Sequence, residues 1–332
     1  MSTVPVFVGL DYHSNAIQVC ILAADGHLLA NRSLRNDAIE VDQFVRRQGP
    51  VCGAAIEACP GAAHLADELA TQKGWDIRQA HPGFVSRMRQ TPDKTDWADA
   101  RVLADLVRVG YLPTVWLAPE EVRELRRVTR LRQQLVDTRR SIKLRVRAVL
   151  RECRVKLPAR GWTKAWRAEL AAASLPDQAR WVIDRHLRHV TFYDGEIAAV
   201  EKRIAKLVAQ DAVVAKLTRQ VGVGLVTAAV MRAEIGRFDR FRNGKQLARY
   251  CGLTPHNASS GQRQADAGLV KAGNPYLRTV LIEAAHRLGR LDPRWKQLRD
   301  AMRSRGKSGS VVAAAVANRW VRGLVHAMTL AA

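Results

Sequence analysis

Asp96 and Asp99 stand three residues apart in the segment KTDWADARVLADL (94–106), where Ala98, Ala100, Val102, Leu103 and Leu106 set a helical apolar rhythm. On a helix that spacing brings both carboxylates to one face, where they can share a cation. Two more acids, Asp11 and Glu57, close apolar runs of strand composition, residues 4–10 and 51–57. Either acid alone reads equally well as a helix cap or a solvated strand end. As a set, four carboxylates gathered at a sheet edge repel one another unless a divalent cation neutralises them. Two hard cations about 4 Å apart, held by such acids, would activate a nucleophile and stabilise the leaving oxygen in phosphodiester chemistry.

The elements that must position these acids follow from the pattern around them. Residues 4–10 and 17–22 are apolar and β-rich, and the polar stretch Tyr12 to Asn15 between them reads as the turn of a hairpin. Residues 27–33 add a third strand after Ala24-Asp25-Gly26, and residues 41–47 have the amphipathic spacing of a short helix. Pro60-Gly61 breaks the chain after Glu57, a helix runs through Leu65 and Leu69, and residues 75–80 read as a last strand. Strands first, then strand and helix in alternation, predict an α/β domain with a mixed sheet over residues 1–115. A strand ending in Gly9-Leu10-Asp11 also opens sugar-kinase and actin-like folds. Those require a glycine-rich phosphate turn, which Tyr12-His13-Ser14 does not provide.

Residues 116–212 change character. From Pro119 to Cys153, Val122, Leu125, Val128, Leu131, Leu135, Ile142, Val146 and Val149 recur mostly at three- and four-residue steps. Arg126, Arg130, Arg139, Arg140, Lys143 and Arg147 lie among them, with too few acids to pair every cation, so this helix is expected to offer a phosphate-binding face. Pro158, Trp162 and Trp166 interrupt the pattern. It resumes over residues 186–210, where Ile197, Val200, Ile204 and Leu207 have a/d spacing, so the segment reads as a helical hairpin or coiled-coil arm.

Residues 213–332 read as mostly helical. Gly222-Val223-Gly224 before an apolar helix resembles a helix-hairpin-helix turn or a plain helical connection. A loop rich in glycine and serine follows, with Arg263, Lys271 and Arg278 around it and Ser259 and Ser260 within it. Such a loop is usually only a turn, but its hydroxyls can be presented to a phosphate. The C-terminal part reads as a pair of helices joined by the basic linker RSRGKSG.

A net charge of +23 over 332 residues, with 47% hydrophobic content, describes a folded protein with a polyanionic partner. The cations are spread along the chain and not collected beside an anchor, which favours nucleic acid over a membrane surface. Five cysteines without a CxxC pair argue against a disulfide framework or zinc finger, and no apolar stretch approaches a bilayer span, so a cytoplasmic location is expected.

Taken together, GLDYHSNAIQVCIL, IEACPGAAHLADEL, KTDWADARVLADL, GVGLVTAAVMRAEIGRF and GLTPHNASSGQRQADAGLVKAGNPYLRTVL resemble the transposases of the insertion-sequence-110 family. The resemblance includes the 1111-type subgroup and the related Piv-type DNA invertases. It implies a RuvC-like, RNase H-type N-terminal domain whose acidic set is Asp11, Glu57, Asp96 and Asp99, binding Mg²⁺ or Mn²⁺. It further implies a coiled-coil segment and a C-terminal transposase domain with a serine nucleophile directly before the glycine of the SSG motif, which selects Ser260 over Ser259. Expected partners are target and donor DNA, a structured bridge RNA that pairs with both, and further copies of the chain in a tetramer or dimer of dimers. The sequence departs from the family pattern at His13-Ser14-Asn15, where many relatives have a lysine, and at EACPG in place of EATG. A RuvC-like junction resolvase using the acids with water, a non-catalytic nucleic-acid scaffold, and a Piv-like invertase sharing the same chemistry are the alternative readings.

Overall fold

Alternation along the first strand divides the residues of the N-terminal sheet between two helical layers. In the computed structural model, which describes residues 4–88, 95–158, 160–257, 266–271 and 273–329, the chain forms two compact units, Met1–Pro119 and Glu120–Ala332. In the first unit, β1 (Val6–Tyr12), β2 (Ala16–Ala23) and β3 (Leu28–Arg35) make an antiparallel meander. Helix α1 (Ala38–Arg46) starts at Asp37, whose carboxylate accepts from the Ile39 and Glu40 amides. Strand β4 (Val51–Glu57) then lies parallel to β1 on its free side, α2 (Ala62–Lys73) crosses over, and β5 (Ile77–Ala80) runs parallel to β4. Helices α3 (Pro82–Met88) and α4 (Asp96–Arg108) follow. The order across the sheet is β3-β2-β1-β4-β5-β6.

The edge strand β6 (Thr114–Val115) pairs antiparallel with β5, so residues 75–80 do not hold the last strand of the sheet, as the sequence led us to expect. Two residues after Pro113 are too short to show a period.

Val6, Val8 and Leu10 of β1 face one layer and pack with Val41, Val45, Leu65 and Leu69 of α1 and α2. Phe7, Gly9 and Asp11 belong to the other face, which α4 covers. A Cβ on Gly9 would fall 1.9 Å from the Ala100 carbonyl oxygen and 2.4 Å from the Ala104 amide nitrogen. Helix α4 therefore lies in backbone contact with the centre of the sheet. Neighbouring β4 repeats the pattern: a Cβ on Gly53 would meet Val107, and Ala55 packs with Leu103 and Val107.

The second unit begins with α5 (Glu120–Glu152), α6 (Lys164–Ala172) and α7 (Asp177–Leu207). Arg132 pairs with Glu201 and Arg139 with Asp194, while Val146 and Leu150 pack with Ile183, so partners descend α7 as they ascend α5 and the two helices run antiparallel. The buried apolar residues of α7, Ile183, Val190, Ile197 and Ile204, recur every seven residues. Helix α7 starts at Asp177, nine residues before the expected His186, with Pro176 at its N-cap, where a residue needs no amide partner and the proline ring fixes the entry backbone.

Helices α8 (Ala212–Thr218), α9 (Leu225–Ile235) and α10 (Gly244–Tyr250) come next, then the short antiparallel strands β7 (Pro255–Asn257) and β8 (Asp266–Leu269). The chain continues as α11 (Pro275–Leu291), α12 (Pro293–Arg303) and α13 (Gly309–Thr329). The expected C-terminal helix pair is thus three helices. Pro293 has no amide to continue α11 and disfavours helical backbone at Asp292, whose carboxylate instead caps α12 by accepting from the Arg294 amide at 2.9 Å. A core of Met231, Leu247, Leu277, Leu281, Val316 and Val321 joins α9, α10, α11 and α13. Among the described residues no helix is long and apolar enough to cross a membrane.

Gly9→Ala must displace helix backbone and is expected to cost about 3 kcal/mol, the upper end of ordinary overpacking. Gly53→Ala presses on a Val107 methyl at 3.3 Å and touches the Phe7 ring at ordinary contact distance, without meeting backbone, and should cost about 1 kcal/mol on the same scale. Urea unfolding of the two variants measures the difference; equal losses would contradict the backbone contact.

Candidate functional site

Asp11 follows Gly9 on the face of β1 that α4 covers, and Glu57 follows Ala55 on the corresponding face of β4, in a register that pairs Leu10 with Ile56. Both acids therefore emerge where the two parallel strands end. Helix α4 brings its own acids by its first turn. Thr95 caps it, its hydroxyl accepting from the Ala98 amide at 3.2 Å, so that Asp96 and Asp99 fall in the first turn, where the helix dipole favours negative charge. The other side of that turn is tied to β3, because Asn31 Nδ2 donates to the Trp97 carbonyl at 2.9 Å and Asn31 Oδ1 accepts from Gln18 at 2.6 Å.

The result is a small group of donors. One carboxylate oxygen each of Asp11 and Asp96 and a ring nitrogen of His13 all lie within 4.8 Å of one another. His13 Nε2 stands between the acids, 3.4 Å from Asp11 Oδ2 and 3.2 Å from Asp96 Oδ2. Asp99 is buried beside them. Burial raises the Asp11 pKa, His13 opposes that rise, and the charges of Asp96 and Asp99 add to it. The Cys59 thiol is likewise pushed up by burial, with Glu57 and Asp11 both contributing, so the field of both strand-end acids reaches one point.

Of the four acids singled out from sequence, the structure thus places Asp11 and Asp96 in direct proximity. Asp99 acts on Asp11 through its charge, and Glu57 sits at the adjacent strand end outside the three-donor group. His13 is the member that sequence reasoning passed over, marking it only as a departure from the family pattern. Its signal was its position two residues after Asp11, across a strand end. Ser260, its neighbour Ser259, and Arg263 lie outside the described residues.

The basic candidates belong to the second unit, where several are engaged within the chain. Glu234 is almost fully buried and is held by Arg130 through two contacts of 2.8 and 3.0 Å, and by Asn274 Nδ2 at 2.8 Å. Arg126 donates to the Ala233 carbonyl and stands 3.7 Å from Glu234. Burial lowers the Arg126 pKa and Glu234 counters it; the hydrogen bond to Glu234 raises that of Arg130. A carboxylate so deeply placed requires such partners. Arg139 is paired with Asp194, and Lys143 lies 4.9 Å over the Trp162 ring with its pKa lowered, first by burial and then by Arg139. Arg278 donates to the Gly273 carbonyl at 3.0 Å. Arg140, Arg147 and Lys271 are exposed.

Comparison with known proteins gives this geometry a context. A transposase family model of the IS110 DEDD type matches residues 8–155, and one described as "Transposase IS116/IS110/IS902 family" matches residues 214–299. A probable family 20 transposase of Pseudomonas aeruginosa is 30% identical over 325 residues, covering 95% of this chain and 94% of that protein. The transposase of insertion sequence IS1328 from Yersinia enterocolitica is 24% identical over 95% of this chain and 94% of its own length. For the transposase of IS1111A from Coxiella burnetii the identity is 25%, over 94% and 86%. Nearly end-to-end similarity, with both family models falling on this chain, establishes that it belongs to the IS110 family of transposases.

Proposed function

We propose that this transposase cuts and rejoins DNA by transesterification, with Asp11, Glu57, Asp96 and Asp99 as the metal-holding set and Ser260 as the nucleophile. The single observation that supports it best is the convergence of Asp11 and Asp96 from a strand end and a helix start onto one donor group. The strand order, with an antiparallel meander followed by parallel β4 and β5, supports assigning the N-terminal unit to the RuvC-like, RNase H-type fold. The antiparallel pair α5 and α7 serves as the coiled-coil arm.

Hard oxygen donors, with Asp11 held above the ordinary carboxylate range by burial and by its acidic neighbours, suit Mg²⁺ or Mn²⁺. Bound there, a divalent ion would polarise the scissile phosphate and balance the charge that develops on it. The chain's own groups do the rest. The carboxylates would hold the cation that offsets the phosphate's charge, and Asn31 and Thr95 fix the first turn of α4 that carries two of them. Ser260 Oγ attacks phosphorus, its proton departs, the strand's P–O bond breaks and the freed strand end takes up a proton. The phosphoserine ester conserves the bond energy, and attack by a DNA hydroxyl reverses the step. A structured bridge RNA supplies sequence specificity by pairing with target and donor, and the chain assembles as a tetramer in which acids of one copy meet the serine of another.

Three measurements test this reading. With its pKa raised, Asp11 contributes stability that is present below the ordinary carboxylate range and lost as pH rises through the raised value. At neutral pH its charge therefore costs the metal-free protein stability. Asp11→Asn should raise the Tm in chelator yet abolish the Tm increase on adding Mg²⁺, an increase worth about 2.7 kcal/mol at one hundred times Kd in the parent. A full Mg²⁺ shift in the variant would remove Asp11 from the metal set. Ser260→Ala should eliminate covalent protein–DNA adducts on denaturing gels while Ser259→Ala retains them; cleavage that survives Ser260→Ala would instead favour a water-using resolvase. RNA recovered with the protein from its native locus should be one transcript from beside the coding region, and random cellular RNA alone would count against guidance.

A further inference from the structure

Many arginines of the second unit find an acid: Arg130 finds Glu234, Arg132 finds Glu201, Arg139 finds Asp194, and on α9 Arg232 finds Asp211. Four cations elsewhere in it do not. Lys245 on α10, Arg294 on α12 and Arg319 and Arg322 on α13 line one open concavity of about 680 Å³. No acidic residue contributes to its lining, and none of the four cations forms an ion pair among the described residues. All four are exposed. Gathering like charges in one hollow is unfavourable unless an anion is brought to it.

The hollow is also built to keep its shape. A Cβ on Gly244 would fall 2.0 Å from the Arg322 carbonyl oxygen, so the first turn of α10 touches the backbone of α13 and those two walls are locked together. The third wall is anchored by Trp295, which is buried while the Arg294 guanidinium lies 4.8 Å over its ring. The cations thus rise from a rigid base on three separate helices.

We infer that this groove between α10, α12 and α13 holds a stretch of nucleic-acid phosphodiester backbone. Exposed, long side chains spread around an open hollow match a partner that presents a row of charges, and duplex DNA carries one about every 1.7 Å of its axis. A single small anion would instead call for buried donors converging on one point. Contacts of this kind position a nucleic acid and carry no sequence information. The inference rests on the family's action on DNA and is independent of Ser260, of the acidic set and of RNA guidance.

The test uses the full chain, a fluorescent DNA duplex and a stem–loop RNA of equal charge, with binding followed by anisotropy across a salt series. Arg319→Gln/Arg322→Gln should lower the slope of log K against log salt by about two on at least one probe, close to one unit per lost contact. Removing the same charge from exposed α7, with Lys202→Gln/Arg203→Gln, should change it by less. A larger loss on the duplex assigns the groove to DNA, and a larger loss on the stem–loop assigns it to RNA. An unchanged slope on both probes, an equal fall in the α7 variant, or polyglutamate of matched charge competing as well as the duplex would overturn the assignment. Melting followed by circular dichroism shows that the double variant folds. If the groove variant binds normally while Ser260-dependent adducts still form, the groove assignment alone is lost and the chemistry stands.

Discussion

Because Gly9 has no side chain, α4 lies against the middle of β1 at backbone distance, and the placement of the acidic group follows from that contact. A strand alternates faces every residue, so the position two residues beyond Gly9 must face the same helix, and that position is Asp11. The same rule applied to β4 leads from Gly53 and Ala55 to Glu57. Small residues thus seat the helix, and acids occupy the ends of the strands that seat it. Helix α4 begins where those strands end, so its first-turn acids arrive at the same edge.

Such an arrangement works against stability. Burial and the neighbouring charges of Asp96 and Asp99 all disfavour the ionised form of Asp11, and His13 only partly opposes them. A fold selected for stability alone would place an amide or an apolar residue there, since replacing a poorly compensated buried charge is often neutral or favourable. The capping of α4 by Thr95 and the link from Asn31 to Trp97 nevertheless hold the helix start in place against that repulsion. Structural support directed at an electrostatically unfavourable cluster is the mark of a site kept for binding a cation.

Much of this was legible in the residues. The meander, the crossover to β4 and the helical character of 94–106 all follow from period and turn chemistry, because each is long enough to show its pattern. The seating of α4 was written in Gly9-x-Asp11 and Ala55-x-Glu57, yet it becomes a signal only once the two strands are known to be parallel neighbours. His13 was hidden for another reason: a histidine in a polar turn has no periodicity, and its part depends on Asp96, distant in sequence. β6 was too short to register. The break at Asp292-Pro293 carried a clear local marker that the continuing apolar rhythm through Trp295 and Leu298 overrode.

The arginines of α5 show why charge counted along a helix does not by itself give each side chain's purpose. Leu125, Arg132, Arg139 and Val146 stand at seven-residue steps, the spacing of a seam against a partner helix. At the two central steps the seam is polar, and each arginine meets an acid of α7. A polar pair within an otherwise apolar seam costs some stability but sets register, since a slip by one turn would leave a cation and a carboxylate both unpaired. Arg126 and Arg130 serve Glu234 in a comparable way, tying α5 to α9 and, through Asn274, to the start of α11. The positive charge that these pairings do not use is carried by side chains such as exposed Arg140 and Arg147 on α5 and the four cations around the groove of α10, α12 and α13. Arginines paired with acids cancel in the net charge, so the excess of +23 resides in the cations such pairs leave over, and only the pairing of each residue tells which group it belongs to.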